Sequence, residues 1–534
     1  MDGKENVLFN NQSAPQEGAD IPSQVPTAVN QQVDSGVVQQ GGEAQPVDAS
    51  VAQPAADAGV TDGVASADAP PPPTGIGGNS KLIKIIIGIV LLLIVGVLIF
   101  LFIPKQQQAK NVKLVWWGLW EDDRVVQQLI ADFEKENPTI TVEYVKQDQK
   151  GYRDRLVTRM KNGDGPDIFR YHNTWLPMMQ KLLEPLSQDV ITPEEFQKVY
   201  YPVMQEDLVN NGGIYGIPLG ADTLALFVNK DLLQAAGADP PQDWNNFAKI
   251  AATQLTLNDK DTKKITQAGA AMGTYGNVQH ASDIVSMILL QQGVKASNSV
   301  GADGKSLSAG AAFVASPSDR KQGALEFYND FAKGSGKYVK SPVWDSLQDD
   351  SLLAFSKGNL AMMFGYSWDV FEIEKLNKNL VQNSLAVYQV PRVPGGKNKT
   401  IASYWVDGVS AASLNKKEAM TFMHYLAQKE TAQKFYTESS KTREFGEPPA
   451  RKDLATMVKD NKLVYPFVSQ LNDASSSFFS SDTNDGDNGI NTLTSTYLTN
   501  AGTKLANEGS SSIEEILKVL NDGVTQVFDQ YAKQ

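Results

Sequence analysis

The hydrophobic pattern divides the 534 residues into three stretches. Residues 1–80 carry no periodic apolar pattern. Gln, Ala, Pro, Gly, Asp and Val dominate, Phe9 is the only aromatic, and the stretch ends in Pro70–Pro73 and Gly75–Gly78. Such a segment cannot bury enough apolar surface to offset its ordering entropy, so it is expected to be a disordered, solvated tail. Lys81 and Lys84 then open an apolar run from Ile85 to Ile103 without charge or proline. At 1.5 Å per residue, these 19 residues cover about 28 Å, close to the thickness of a hydrocarbon core. A cleaved signal peptide fits poorly, because the run is long and Pro104-Lys105-Gln106 offers no small-residue cleavage site. The pattern predicts one transmembrane helix over 81–104. Lysines flank both ends, so charge alone does not orient it.

From Lys113 the pattern alternates between short β-rich runs and helical spacing. Leu114–Trp116 and Ile140–Tyr144 read as strands. Between them Val125, Val126, Leu129, Ile130 and Phe133 recur at helical spacing and stop before Asn137-Pro138. That β-α-β order predicts parallel strands and an α/β body. Ile214–Pro218, Leu224–Val228, Leu360–Phe364 and Leu385–Val390 read as further strands, and Lys417–Phe435 and Ile513–Tyr531 as long amphipathic helices. Ser511 and Glu514 form a capping box for the last. The β-rich runs recur far apart, which suits two lobes with a chain that crosses between them more than once.

Charge sharpens this division. Residues 1–80 hold ten acids and one lysine, so −9 of the formal −13 belongs to the tail and the remainder carries −4. A near-neutral body lacks the clustered basic face of a nucleic-acid binder. The absence of cysteine removes disulfides, thiolate metal sites, a cysteine nucleophile and a lipidated N-terminal cysteine. Three scattered histidines, His172, His280 and His424, argue against a histidine-rich metal centre. Nucleophile-elbow, zinc-protease and P-loop motifs are missing, so no catalytic residue, metal ligand or cofactor is expected, although a hydrolase working through two carboxylates would leave no motif to find. The stretch from Asp482 to Asp487 departs from the EF-hand spacing, with Gly486 one place early and Leu493 at the twelfth position. It reads as a polar loop.

The aromatics carry more. Trp117 and Trp120 follow the first strand, Trp368 follows Ala361–Phe364, and Tyr404-Trp405 precede Val409–Ala412. In open α/β sheets the crevice beyond the carboxyl ends of strands is where ligands bind. An indole there offers a flat apolar face and one N–H, which suits a sugar ring. Trp116 is expected to alternate inward along the strand, and Trp244 and Trp344 read as packing.

Taken in order over about 420 residues, several segments resemble the extracellular solute-binding proteins of ABC importers, in the carbohydrate-binding group that includes maltodextrin-binding protein. They are Lys113–Trp117, Gly163–Phe169, Leu182–Leu186, Tyr215–Pro218, Asn229–Leu233, Gly358–Met363 and Val409–Ala412. The resemblance implies an α/β, two-lobed periplasmic-binding-protein-like fold with a crossover hinge and ligand in the interlobe cleft. Lobe 1 is expected at roughly 113–221 and 395–440, lobe 2 at roughly 222–394 and 441–534. It implies ligand contacts from Glu121 after the first strand, from the hinge-side Asp222 and from a stacking Trp368. Where maltodextrin binders carry an aspartate–arginine pair, this chain has Asn173 and Thr174, flanked by Tyr171 and Trp175. Tyr497 is the nearest aromatic to that group's late stacking tryptophan.

The reading that follows is a membrane-anchored, extracellular solute-binding subunit that hands a sugar or oligosaccharide to ABC permease subunits. One helix would hold it in the membrane, with the acidic tail in the cytoplasm. The alternatives are a surface carbohydrate sensor or adhesin without transport and, further off, a carbohydrate-active enzyme.

Overall fold

In the computed structural model, described over residues 84–94, 111–296, 298–300, 307–309, 311–393, 399–443, 445–507 and 513–532, the body begins with strand β1 (Val112–Gly118). Leu114 and Trp116 alternate onto its buried face, as the pattern requires. Helix α1 (Asp123–Glu136) follows, with Asp122 accepting a cap bond from the Arg124 backbone N–H and Val125, Val126, Leu129, Ile130 and Phe133 buried. Strand β2 (Ile140–Lys146) returns parallel to β1, the crossover that the β-α-β order predicted. Strand β3 (Ile168–His172) lies parallel to β1 on its other side. All five of its residues are buried, so it shows no alternation. Ile214–Pro218 is not one strand but two short pieces, Gly213–Ile214 and Ile217–Pro218, separated by Tyr215 and Gly216.

The chain then leaves this first sheet through Asp222–Thr223 and enters a second one. Its centre is β4 (Ala225–Asn229). Helix α2 (Ala281–Gln291) is nearly all buried, and strand β5 (Met362–Gly365) pairs antiparallel with β4. Helix α3 (Ser367–Leu376) leads to β6 (Leu385–Tyr388) on the other side of β4. A second passage, through Ala402–Ser403, returns the chain to the first sheet as β7 (Trp405–Ser410), antiparallel to β3. The span predicted as one helix from Lys417 is two, Lys416–Ala427 and Lys429–Ser439, with Gln428 in extended conformation between them. A third passage lies between Arg451 and Phe467. The Arg451 guanidinium donates to the Ala427 carbonyl of the first lobe, and the Phe467 ring meets Phe227 of the second. Helices α4 (Ile490–Asn507) and α5 (Ile513–Ala532) end the described chain, and the Ser511 cap lies outside the described residues.

Trp244 and Trp344 are buried, as expected, with Trp244 edge-on to Phe247 and Phe327. Residues 84–94 form a helix with exposed Ile, Val and Leu side chains. Among the described residues no helix is long and apolar enough to cross a membrane. Residues 95–103 of the expected span, and the expected tail at 1–80, lie outside the described residues.

The first lobe is bound internally by a buried ion cluster. Arg170 of β3 donates to both carboxylate oxygens of Asp407 on the neighbouring β7, at 3.2 and 2.7 Å. It also pairs with Glu121, while the Trp116 indole N–H donates to Asp407 at 2.9 Å. Removing one partner from such a cluster strands a buried charge. Asp407→Ala is expected to lower the unfolding free energy by about 3–5 kcal/mol in urea denaturation, and a loss below about 1 kcal/mol would contradict this role.

Candidate functional site

The two lobes are joined where the passages meet. Asp222–Thr223 pairs antiparallel with Ala402–Ser403, and Gly220 forms a bridge with Pro449. Gly220 packs closely there: a Cβ on it would lie 2.9 Å from a Glu447 carboxylate oxygen. Side chains beside these passages meet one another there. Two residues after Ser403 comes Trp405, whose ring meets Trp120 edge-on at 4.9 Å between centroids and Trp175 at 5.3 Å. The Trp120 indole N–H donates to Glu447 at 3.2 Å, and Arg443 both pairs with Glu447 and lies over the Phe371 ring of the second lobe.

On the second lobe, Asp222 sets the position of the tryptophan. One carboxylate oxygen accepts from the Thr223 N–H at 2.8 Å and the other from the Ser367 N–H at 2.7 Å, which pins the start of α3 to the crossover. The next residue is Trp368, stacked on Tyr366 at 4.3 Å and 15°. Beneath them the His280 ring bonds Asp369 at 2.8 Å and the Ser481 hydroxyl at 2.8 Å. Burial disfavours charge on that ring, but Asp369 and Asp482 outweigh it and hold its pKa well above the ordinary histidine value. The opposite holds for His172, where burial pushes the pKa down to about 3 and keeps the ring neutral. Burial pushes Asp222 up to about 7, despite its backbone hydrogen bonds.

The structure brings Asp222, Trp368 and Trp405 around the crossovers, with both tryptophans half-buried. It places the other expected contacts differently. β1 runs on to Gly118, so Trp117 lies within the strand and Trp120 is the tryptophan beyond its end. Glu121 faces the first-lobe ion cluster, with one oxygen also accepting from the Tyr144 hydroxyl at 2.8 Å. Tyr171 is fully buried and donates to the Tyr215 carbonyl. Trp175 is fully buried behind Trp405. Asn173 and Tyr404 both donate to the buried Asp207, at 3.0 and 2.6 Å, and burial pushes that carboxyl up to about 6. Tyr497 of α4 covers Gly523 of α5, a helix-to-helix contact.

Sequence reasoning missed Glu447, Arg443, Phe371 and the His280–Asp369 pair. None of them sits in a motif, and only the tertiary fold brings them to the cleft. Among the described residues no group of three or more His, Asp or Glu side chains is placed to hold a metal ion. In the acidic stretch 482–487, Asp485 accepts from the Asn491 N–H at 2.6 Å and the Thr492 hydroxyl at 2.7 Å, capping α4 as part of a polar loop.

The pKa of Asp222 has a measurable consequence. A carboxyl raised from 3.8 to about 7 on folding contributes stability in full below about pH 4 and loses it as pH rises through 7. The stability of the unmodified chain relative to Asp222→Asn should therefore fall between pH 4 and 7, as read by urea denaturation at several pH values. A difference that does not change with pH would contradict the assignment.

Comparison with known proteins agrees with this architecture. The family model described as bacterial extracellular solute-binding protein matches residues 117–433. A putative ABC transporter periplasmic-binding protein of Escherichia coli (strain K12) is 27% identical over 167 residues, covering 30% of this chain but only 38% of that protein. The galactooligosaccharide-binding protein of Bacillus subtilis (strain 168) is 23% identical over 362 residues, 66% of this chain and 75% of that one. Among solved structures, the sugar-binding protein MalE from Xanthomonas citri aligns with a TM-score of 0.59 at 19% identity, covering 78% of this chain and 98% of that chain. A cyclo/maltodextrin-binding protein complexed with maltotetraose aligns with a TM-score of 0.58 at 18% identity, covering 80% of this chain and 98% of that chain. At such identities the structures share the two-lobed α/β fold. The family model spans more than half of the residues, and the chain belongs to the bacterial extracellular solute-binding protein family.

Proposed function

We propose that this chain captures a sugar between its lobes outside the cell and hands it to the membrane subunits of an ABC importer. The observation that carries the reading is the pair of aromatic surfaces on either side of the crossovers, Trp120 with Trp405 on the first lobe and Trp368 on the second. Indole faces pack against sugar C–H groups while neighbouring carboxylates accept hydroxyl hydrogens in charge-assisted bonds. Relatives are named as galactooligosaccharide-binding and sugar-binding proteins, which favours capture over chemical conversion.

The apolar run 85–103 is the proposed anchor, with the tail 1–80 cytoplasmic and the lobes outside, where solute arrives. Its length and its uninterrupted apolar character support this.

Micromolar affinity corresponds to about −8 kcal/mol. A thermal-shift screen of mono- and oligosaccharides should find one that stabilises the chain, by about 2.7 kcal/mol at one hundred times its dissociation constant. For that sugar, Trp368→Ala should weaken binding at least about tenfold in calorimetric titration, because the stacking face is lost. Unchanged affinity in the folded variant would remove Trp368 from the site.

A further inference from the structure

Strands β1 and β3 run parallel, so their carboxyl ends share one edge of the first sheet, the edge beyond which an α/β sheet binds its ligand. The two ends are not equally open. Beyond β1 stands Trp120, half-buried, with its ring against Trp405. Beyond β3 stand Asn173, Thr174 and Trp175, all fully buried or nearly so.

What covers them is a segment from the C-terminal part of the chain. The Asn173 side-chain amide donates to the Ser476 hydroxyl at 2.7 Å, Ser476 donates to Asp207, and the Thr174 hydroxyl donates to the Asn491 side chain at 2.7 Å. The same segment is fixed to the second lobe. The Ser477 hydroxyl bonds Ser286 of α2, the Phe478 N–H donates to the Ala296 carbonyl at 2.9 Å, and the Ser481 N–H donates to Asp283 at 2.9 Å. It is also fixed to the crossover, where Ser475 pairs with Ile401. Adjacent serines thus bond opposite lobes.

We propose that the segment Ser475–Asn491 closes the β3 end of the interlobe cleft, so that the site accepts a saccharide of one or two units and excludes longer chains. This rests on the saccharide reading of the cleft. With the β3 end filled, the half-buried aromatic faces that remain are the Trp120–Trp405 corner and Trp368 on Tyr366. These are two surfaces, one per lobe, enough for one or two sugar rings. A third unit would have to displace Asn491 from Thr174 and Ser476 from Asn173 and Asp207. Those side chains lie in a buried network, where a group left without its partner is costly. The Asp207 carboxylate accepts from Asn173, Tyr404 and Ser476, so one displaced serine disturbs the whole cluster.

Calorimetric titration of the full chain with α-1,4-, α-1,6- and β-1,4-linked glucose series, and with galactose-containing series, from one to four units tests this. The expected result is tightest binding at one or two units and at least a tenfold loss from two units to four. A tetrasaccharide that binds as tightly as the matching disaccharide, or more tightly, overturns the closure while leaving the saccharide reading intact. Binding of no saccharide at any length overturns both. Replacing the contacts together, Ser476→Ala with Asn491→Ala, should narrow the ratio between two-unit and four-unit affinities at least threefold. An unchanged ratio in a folded double variant also overturns the proposal.

Discussion

The two-residue pairing of Asp222–Thr223 with Ala402–Ser403 holds two passages of the chain side by side, and the placement of the cleft depends on it. One strand leads into Trp405 and the first sheet. The other presents the Asp222 carboxylate, which captures the Ser367 N–H and so sets Trp368 at the head of α3. Just ahead of the third passage, Pro449 bridges to Gly220 and Glu447 accepts from the Trp120 indole. Aromatic faces from elements hundreds of residues apart in sequence are thereby positioned by backbone hydrogen bonds within a few residues. Because Asp222 is buried, its bonds to backbone N–H groups act where water does not compete, and the same burial lifts its pKa to about 7.

The lobes themselves are built to stay rigid. The first is a sheet cross-tied by Arg170, Asp407 and Glu121, and the second holds β4 between β5 and β6, with helix α2 nearly all buried in it. Between them the regular pairing shrinks to two residues. Hinge motion is absorbed by a few residues at the ends of elements, and this short pairing is where such a change would fall. The segment Ser475–Asn491 works against wide separation on one side, since its hydrogen bonds reach both lobes.

Regular alternation and helical spacing made β1, α1 and β2 readable, including their parallel order, because each element has one buried and one solvated face. The fully buried β3 and the nearly all-buried α2 have no solvated face, and their polar residues are buried with the rest, so periodicity does not mark them. The break at Gln428 has no proline or glycine; only the polar Lys429-Glu430 in place of the next apolar step hints at it. At the site, tryptophans near strand ends were visible, but burial was not. Glu121, Tyr171, Asn173 and Tyr404 stand beside the right strands, yet their side chains turn into networks with Arg170, Tyr215 and Asp207. Those partners lie up to 197 residues away, and no local pattern records them. Ser476, in a serine-rich stretch, and Asn491, in the first turn of α4, were hidden for the same reason.

The central claim is that Trp120, Trp405 and Trp368 face one ligand from opposite lobes. Fluorine NMR of the full chain labelled with 5-fluorotryptophan tests it directly, since eight indoles give eight assignable signals. On titration with a saccharide that binds, the resonances of these three should move together while those of Trp116, Trp244 and Trp344 stay in place. If the three are silent while the buried indoles shift, the sugar binds elsewhere and the account of the cleft is wrong.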